Sequence, residues 1–479
     1  MVKATLRSAV LLGLLVCSGP SFAEVQNVKV GGDVTVRSFW RSNLDLTNNN
    51  GPTLNDDRFL MSTTGVNIGA DLTENVSAFV RLANERNWNV DAGSTRDVAI
   101  SQAYVTLKEL FYSPLTVRIG AQPIVWGRGF VLGSNLIPGL INGGGDLHAS
   151  ISANEFTEFT AFDAIRATLD LSNVASLGVP LTLDSVYIKG NEGTIGVSDD
   201  VNIMGVNLGT KFDTMKSELE TYYLNKHDRS MIGTSTSVTA RAKVGSVSTI
   251  GIRGSIQPVE GALAYGELGY QFGRRATDPA GVLITGDAQQ AWAFDLGLEY
   301  TAKEVAWTPK LGGEWIFFSG KNVDGAVTGW DPMARGYFTT ALREFQNPTA
   351  AAFYPPSQNC LANGSSSTAG GVIRCTGSAT NQHQLSVYGS LKPLEDLTVA
   401  PRLSWFVLDV GAIPVGVDGT RESKRKNYAG MEWDTQVTYN YTDDVQFGVI
   451  YGLFVPGNVY RNQNRNDAQE LVTSVSVKF

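Results

Sequence analysis

Apolar and polar residues alternate along most of this chain, beginning near its N-terminal end. Between residues 28 and 40, five apolar side chains share one parity, whereas Lys29, Asp33, Thr35 and Arg37 occupy the other. Strict alternation of this kind predicts a β-strand with one face in an apolar environment. The same pattern recurs over 66–72, 76–82, 115–122, 292–300, 433–441 and 445–455.

The spacing of these segments predicts about eighteen strands, with bulges where the parity slips near 98–108, 181–190 and 309–319. The connections between strands alternate in length, which is typical of outer-membrane barrels with short periplasmic turns and long extracellular loops. We therefore predict an all-β fold, a single transmembrane antiparallel β-barrel spanning residues 24–479. The short connections lie near 73–75, 109–114, 213–216, 257–261, 302–306, 392–396 and 442–444, and the long ones near 41–57, 86–97, 127–155, 226–240, 274–288, 320–382, 409–427 and 456–469.

Soluble β-folds fit this pattern less well. A sandwich or a propeller gives no reason for short turns at one end and long loops at the other. The chain also shows no repeat of fixed period, which weakens the propeller alternative further.

The polar faces of the predicted strands carry many charges, which are costly in a packed core and natural in water. A barrel of about eighteen strands is too wide to be filled by its own side chains, so we expect an aqueous lumen. The inward-parity charges are basic early in the chain and acidic later. The basic set is Arg37, Arg81, Arg118 and Arg166, the acidic set is Glu218, Glu220, Glu267, Asp295, Glu299, Glu432 and Asp434, and the exceptions are Asp33, Asp71, Lys211, Arg253 and Arg402.

Two interpretations of this charge pattern stay open. Consecutive strands are neighbours in a barrel, so the two sets predict a basic arc facing an acidic arc and a transverse field across the lumen. Alternatively, these are ordinary solvated charges that confer no selectivity.

Two long connections stand out. The one after Gln122 is about thirty residues long, partly apolar and rich in glycine, so it either folds into the mouth and constricts it or packs on the surface. The connection 320–382 is the longest and contains Cys360 and Cys375. In an oxidising compartment these cysteines are expected to form a disulfide that restricts a flexible lid.

The N-terminal residues have the features of a secretory signal peptide cleaved after Ala23. Lys3 and Arg7 precede a short apolar stretch, Ala9 to Cys17, and a small-residue site follows. A lipoprotein anchor at Cys17 is the alternative, although Val16 stands where that signal wants a small residue. No later apolar run reaches the length of a membrane-spanning helix, so a bacterial outer-membrane location is expected.

The last residues form an alternating strand that ends in Phe479. Such a strand resembles the signal read by the bacterial barrel-assembly machinery, so Phe479 is assigned as an assembly signal. The expected partners are therefore outer-membrane lipid, lipopolysaccharide, that machinery and hydrophilic solutes, and a homo-oligomeric state is left open.

The amino-acid composition argues against several classes of function. The formal charge is −8, and loss of residues 1–23 removes two basic residues and no acidic one, giving −10, which argues against nucleic-acid binding. His148, His227 and His383 are scattered without a metal-ligand spacing, and no haem-attachment motif is present. We therefore expect no metal, no cofactor and no catalytic residues.

Two motifs carry a family resemblance. The stretch from Arg118 to Phe130 (RIGAQPIVWGRGF) and the segment from Phe162 to Arg166 (FDAIR) resemble the alginate-export family of outer-membrane porins. The resemblance is strongest over 115–170 and implies an eighteen-stranded barrel with both termini on the periplasmic side. It also implies that arginines in the pore select a polyanionic sugar, with Arg118, Arg128 and Arg166 as pore or mouth residues and Gln122 and Asp163 as their neighbours.

The lumen of this chain departs from that pattern because it also carries many acids, so the solute is left unassigned. We expect a channel for passive diffusion or export of small hydrophilic or anionic solutes, saccharides among them. One alternative is a barrel sheath of a multi-protein outer-membrane complex. The other is an outer-membrane enzyme, which would need a base beside a nucleophile, and no histidine has a convincing partner.

Overall fold

The computed structural model contains eighteen β-strands in one sheet. It describes residues 27–44, 46, 56–89, 98–111, 113–134, 153–172, 179–191, 200–229, 245–274, 288–320, 329–331, 333–344, 380–412, 423–460 and 466–479. The strands are β1 Asn27–Ser42, β2 Asp56–Thr73, β3 Val76–Asn87, β4 Ala99–Leu107, β5 Leu115–Gln122, β6 Phe162–Asp170, β7 Leu181–Asn191, β8 Val201–Phe212, β9 Ser217–Asp228, β10 Gly245–Ile256, β11 Ala262–Arg274, β12 Ala288–Thr301, β13 Lys310–Phe318, β14 Gln382–Leu394, β15 Leu397–Ala412, β16 Lys426–Asn440, β17 Val445–Pro456 and β18 Ala468–Lys478.

Every strand pairs antiparallel with its neighbours in the chain, and β1 pairs with β18, so the sheet closes into a barrel. At the seam, the backbone N–H of Gly32 donates to the carbonyl of Phe479 at 2.8 Å, and the reciprocal bond is 2.9 Å. The ring of Phe479 lies over Gly32, where a Cβ would stand only 2.7 Å from it. The predicted fold class is confirmed.

The outward face is apolar, as the alternation predicted. Exposed side chains on it include Val30, Ile252, Trp292, Leu298 and Leu311. In water such a surface would be costly, and in a bilayer it is the face that contacts lipid. The described residues contain no helix long and apolar enough to cross a membrane.

Two of the three predicted irregularities are confirmed. The pairing of β3 with β4 shifts register after Arg81, and the pairing of β7 with β8 shifts after Lys189. The third was wrong, because β13 pairs regularly with both of its neighbours. The sequence pattern also missed two connections, 171–180 and 192–200, which flank β7.

The two ends of the barrel differ. The turn end holds the start of β1, the end of β18 and the short connections, and the loop end holds the long ones. Residues 1–23, His148, Cys360 and Cys375 lie outside the described residues, so the signal peptide and the disulfide stay predictions. The largest buried apolar cluster lies inside the barrel, between the inner wall and segments of two long loops.

Candidate pore constriction

The inner loop, residues 123–134, enters the barrel directly after β5. Ile124, Trp126 and Phe130 are almost fully buried, in a cluster with inward-facing residues of β6 to β13. The indole N–H of Trp126 donates to Asp184 of β7 at 2.8 Å. The first of the two alternatives for this connection therefore holds, because the described part of the loop packs on the inner wall.

The strap, residues 329–331 and 333–344, enters from the longest loop and crosses the interior. At one side its Asp331 is bound by Lys226 of β9 at 2.7 Å. At the other side, Glu432 of β16 accepts the backbone N–H groups of Leu342 and Arg343, at 2.6 and 2.9 Å. Asp434 accepts the N–H of Ala341 at 3.2 Å. The strap is therefore anchored on opposite parts of the barrel wall.

Inner loop and strap cross at three glycines, which we call the clasp. The N–H of Gly336 donates to the carbonyl of Gly129 at 2.8 Å, and the N–H of Gly133 donates to the carbonyl of Ala334 at 2.6 Å. A Cβ on Gly336 would stand 2.4 Å from the carbonyl carbon of Gly133. The backbones approach this closely because no side chain intervenes.

Within the strap, Glu344 is buried and forms a salt bridge with Arg335 at 2.6 Å. It also accepts the backbone N–H and the hydroxyl of Thr339, both at 2.7 Å. Burial disfavours its charge, but Arg335 and these hydrogen bonds outweigh that effect and hold the pKa of Glu344 below its usual range. The strap thus carries its own internal ion pair.

Arg128 occupies the centre of the constriction. Its guanidinium carbon lies 3.7 Å from the ring centroid of Tyr265 and 4.7 Å from that of Tyr337. Glu314 of β13 is 3.6 Å away and also binds Arg402 at 2.9 Å. Burial and the charge of Glu314 raise the pKa of Tyr337, whose hydroxyl donates to that carboxylate at 2.7 Å.

A further part of the loop between β5 and β6, residues 153–161, reaches the opposite wall. Glu155 and Glu470 both bind the buried Arg41. Arg81 binds Asp33 at 2.8 Å and Glu158 at 2.9 Å. This return segment therefore forms ion pairs with β1 and β3, and Arg81 is held between two carboxylates.

The other predicted basic residues are placed differently from Arg81. Arg118 and Arg166 are direct cross-strand neighbours, as predicted. Arg166 binds Asp184 at 2.8 Å. Arg118 stacks on Tyr104 at 4.5 Å, and within the described residues no carboxylate lies in salt-bridge range of it. Arg37 lies over the ring of Phe156 at 4.8 Å.

Two predicted neighbours of this cluster need correction. Asp163 is exposed and shares the outward parity of Ile165, opposite to Arg166, so it lies on the outer face and not in the lumen. Gln122 faces inward but is fully buried, and its amide donates to the carbonyls of Arg118, Gly120 and Ala164. It is a bracing residue that has no contact with the open lumen.

The predicted acidic arc is mostly engaged by the protein itself. Glu432 and Asp434 hold the strap, Glu267 accepts the hydroxyl of Tyr222 at 2.8 Å, and Glu299 accepts that of Tyr388 at 2.7 Å. Asp295 is 1% exposed. The simple picture of two facing open arcs is therefore wrong on the acidic side, because backbone groups of the strap and tyrosines of the wall engage these acids.

Sequence reasoning missed the strap and Glu314. The strap had a signal, since Trp330, Tyr337 and Phe338 place three aromatic residues within nine positions of one connection. Glu314 had inward parity but lay in a stretch predicted to be irregular. The described residues contain no group of three or more His, Cys, Asp or Glu side chains able to hold a metal ion.

Two cavities remain beside the constriction. The strap cavity, about 490 Å³, lies between the strap, the return segment and the inner wall formed by β12 to β18. A second cavity, about 440 Å³, lies between the inner loop and the inward faces of β6 to β10. The inner loop separates them, because Trp126 and Gly127 line the second cavity and Arg128 lines the first.

Comparison with known proteins gives one family and several structures with a similar fold. The sequence model of the alginate export family matches residues 26–474. No curated protein sequence matches the chain. Among solved structures, OccK9 (OpdG) of Pseudomonas aeruginosa is 11% identical with a TM-score of 0.52, covering 95% of this chain and 99% of that chain. OccK2 (OpdF) of the same organism, in complex with glucuronate, is 12% identical with a TM-score of 0.51, covering 95% and 99%. At these identities the structural likeness shows the fold alone.

Proposed function

The chain belongs to the alginate export family, and from that premise we propose that it is an outer-membrane channel for passive passage of small hydrophilic solutes, anionic ones and saccharides among them. The observation that carries the proposal is the constricted lumen. A barrel of eighteen strands is wide, and here two inward segments, braced by buried ion pairs, narrow it. Such bracing favours a fixed aperture that selects solutes by size and chemistry.

The basic side of the lumen supports passage of anions. Arg118 is partly exposed and has no carboxylate partner among the described residues. Lumen charges act through a screened field with a range of about 10 Å at 0.1 M salt. We propose that Arg118 gives the channel a modest preference for anions, together with Arg166 on the neighbouring strand and Arg37 on β1.

The two alternative functions receive less support. A sheath around a partner protein needs an open lumen, and the strap and the inner loop occupy the interior. An enzyme needs a base beside a nucleophile. His383 faces outward, 4.6 Å from the ring of Phe317 and 3.8 Å from Asp409, and no serine or cysteine contacts it within the described residues.

We also propose that Phe479 completes the lipid-facing surface at the barrel seam and serves as the assembly signal. Its ring covers Gly32, and both of its backbone groups pair across the seam. Deleting Phe479 should lower the yield of heat-modifiable barrel in the outer membrane. An unchanged yield would remove the support for this role.

The channel itself is tested by planar-bilayer recording of the purified protein. We expect discrete conductance steps and a reversal potential that indicates weak anion preference under a salt gradient. Protein that is folded by heat-modifiability but never conducts would contradict the proposed function.

A further inference from the structure

We infer that the strap cavity is a binding site for an uncharged, hydroxyl-rich solute, such as a neutral saccharide, and that it disfavours polyanions. The inference rests on the proposed channel function and deepens it by assigning a substrate class to one site. Its volume of about 490 Å³ lies within the usual range for small-molecule pockets, about 300–1,000 Å³. Its lining residues reach it from β12 to β18, from the strap, from the inner loop and from the return segment.

The first argument is that the cations of the cavity are already engaged. Arg128 and Arg402 share Glu314, at 3.6 and 2.9 Å, and Lys310 lies 3.7 Å from Glu299. The side chain of Glu314 is 0% exposed, so drawing either arginine toward a ligand anion would leave a buried carboxylate undercompensated. An anionic ligand would therefore compete against the protein's own ion pairs.

The acids of the cavity are engaged in the same way. Glu155 and Glu470 both bind Arg41, and Asp434 accepts the backbone N–H of Ala341. The charges at and directly behind the lining nearly cancel, with a formal excess of one acid. The basic members are Arg41, Arg128, Lys310 and Arg402, and the acidic members are Glu155, Glu299, Glu314, Asp434 and Glu470. A cavity with this balance offers a polyanion no spare positive charge.

What the cavity does offer is aromatic surface and neutral hydrogen-bonding groups. Tyr337, Phe338 and Tyr388 contribute rings, which pack well against the C–H faces of a sugar ring. Ser390 and Gln436 line the cavity. Within the described residues, neither side chain makes a hydrogen bond. Such groups favour solutes that carry hydroxyls. A solute without hydroxyls would displace water from these groups and leave them without hydrogen-bond partners.

The cavity differs in this respect from the wall that carries Arg118. That arginine has no carboxylate partner among the described residues, whereas each arginine of the strap cavity has one. The geometry therefore separates two roles inside one lumen. The Arg118 wall biases the passage of ions, and the strap cavity retains neutral solutes.

The test compares three sugars of matched ring size in planar bilayers: glucose, glucuronate and glucosamine at neutral pH. Each is added on the side of the turn end, and the reduction of the ion current is normalised to the open current of the same channel. We expect glucose to reduce the current at several-fold lower concentration than either charged sugar. Stronger block by glucuronate than by glucose would overturn the inference.

A double variant, Ser390→Ala with Gln436→Ala, removes the two unpartnered groups without breaking an ion pair. It should weaken the glucose block several-fold, whereas Thr182→Ala, a matched removal of a hydroxyl in the second cavity, should retain it. Equal glucose block in the double variant and the wild type would overturn the inference. If the double variant fails to fold, the order of the three sugars on the wild type still decides. Absence of any conductance would instead contradict the channel function itself.

Discussion

Two parts of the inner wall use the same kind of residue in different ways. On β4 to β6, Arg118 stacks on Tyr104 and has no carboxylate partner among the described residues. On β15 and β16, Arg402 and Glu432 have the same inward parity, but Arg402 is largely covered, Glu432 is fully buried, and both are bound by other groups of the protein. Inward parity therefore predicts which way a charged side chain points. Whether that side chain contacts the solute depends on the other groups of the protein that cover or bind it.

The covered wall also explains why so many acids are tolerated. A buried carboxylate is costly unless hydrogen bonds and opposite charges satisfy it. Glu432 receives two backbone N–H groups of the strap, and Glu314 receives Arg402 and two tyrosine hydroxyls. On this side of the barrel, acids hold loops in place, so their number says little about ion selectivity.

The largest effect is expected from breaking the anchored wall. Glu432→Ala with Asp434→Ala removes the acceptors of three backbone N–H groups of the strap. Each orphaned buried N–H costs about 1–3 kcal/mol, so the strap should detach at this side. Single-channel conductance should rise several-fold while the barrel stays heat-modifiable.

Asp71→Ala is the matched control, since Asp71 is exposed near the turn end and does not contact the strap. It should leave the conductance at the wild-type value. A double variant that folds and conducts like the wild type would show that these acids do not hold the strap.

A smaller but related effect is expected at the clasp. In Gly336→Val the new side chain would overlap the backbone of Gly133, so inner loop and strap must separate. We expect higher conductance and noisier open states, because both segments keep their wall anchors but lose each other. Gly69→Ala, where nothing lies within 4 Å of the added Cβ, should record as wild type. Quiet wild-type openings in Gly336→Val would argue that the clasp has no role.

A third substitution compares the two walls by their contribution to the stability of the barrel. Arg402→Ala leaves the buried Glu314 with Arg128 as its one remaining cationic partner among the described residues, and breaking a buried pair costs about 3–5 kcal/mol. We expect a lower temperature of loss of the compact form in unboiled gels. Arg118→Ala should leave that temperature unchanged, since solvated charges contribute little to stability. The two walls would be equivalent if both variants lost the same stability.

The smallest effect is expected on ion selectivity. Here Arg118 should matter more than Arg402, which is the reverse of the order expected for stability. Arg118→Ala should move the reversal potential toward cation preference, most clearly at low ionic strength where screening is weakest. Arg402→Ala should move it less in channels that remain folded, because its charge is matched by Glu314. An unchanged reversal potential in Arg118→Ala would mean that this arginine does not influence permeating ions.

Much of this architecture could be predicted from the sequence, because strand alternation is local and repeats in every strand. The inward direction of Arg118 and Arg166 and their cross-strand contact followed from parity alone. Parity also predicts that Asp163 lies on the outer face, because it is three residues from the inward-facing Arg166 and successive residues of a strand face opposite sides. The prediction for Asp163 followed the family motif that contains both residues and not the parity of the strand.

The constriction could not be predicted in the same way. The strap is separated from its partners by long stretches of chain, and Ala341 meets Asp434 across 93 positions. Backbone N–H groups make several of these contacts, and they carry no sequence signature. Glycines at the clasp matter because of how closely two distant segments cross, which a one-dimensional pattern does not reveal.

The central claim is that the strap sets the aperture of the channel, and one measurement tests it most directly. The strap is replaced by glycine and serine residues in a segment of equal length, which keeps the loop but removes its anchors and its half of the clasp. The single-channel conductance of this variant is then compared with that of the wild type in the same membrane and salt. We predict a several-fold higher conductance with unchanged heat-modifiability. A folded variant with wild-type conductance would contradict the claim.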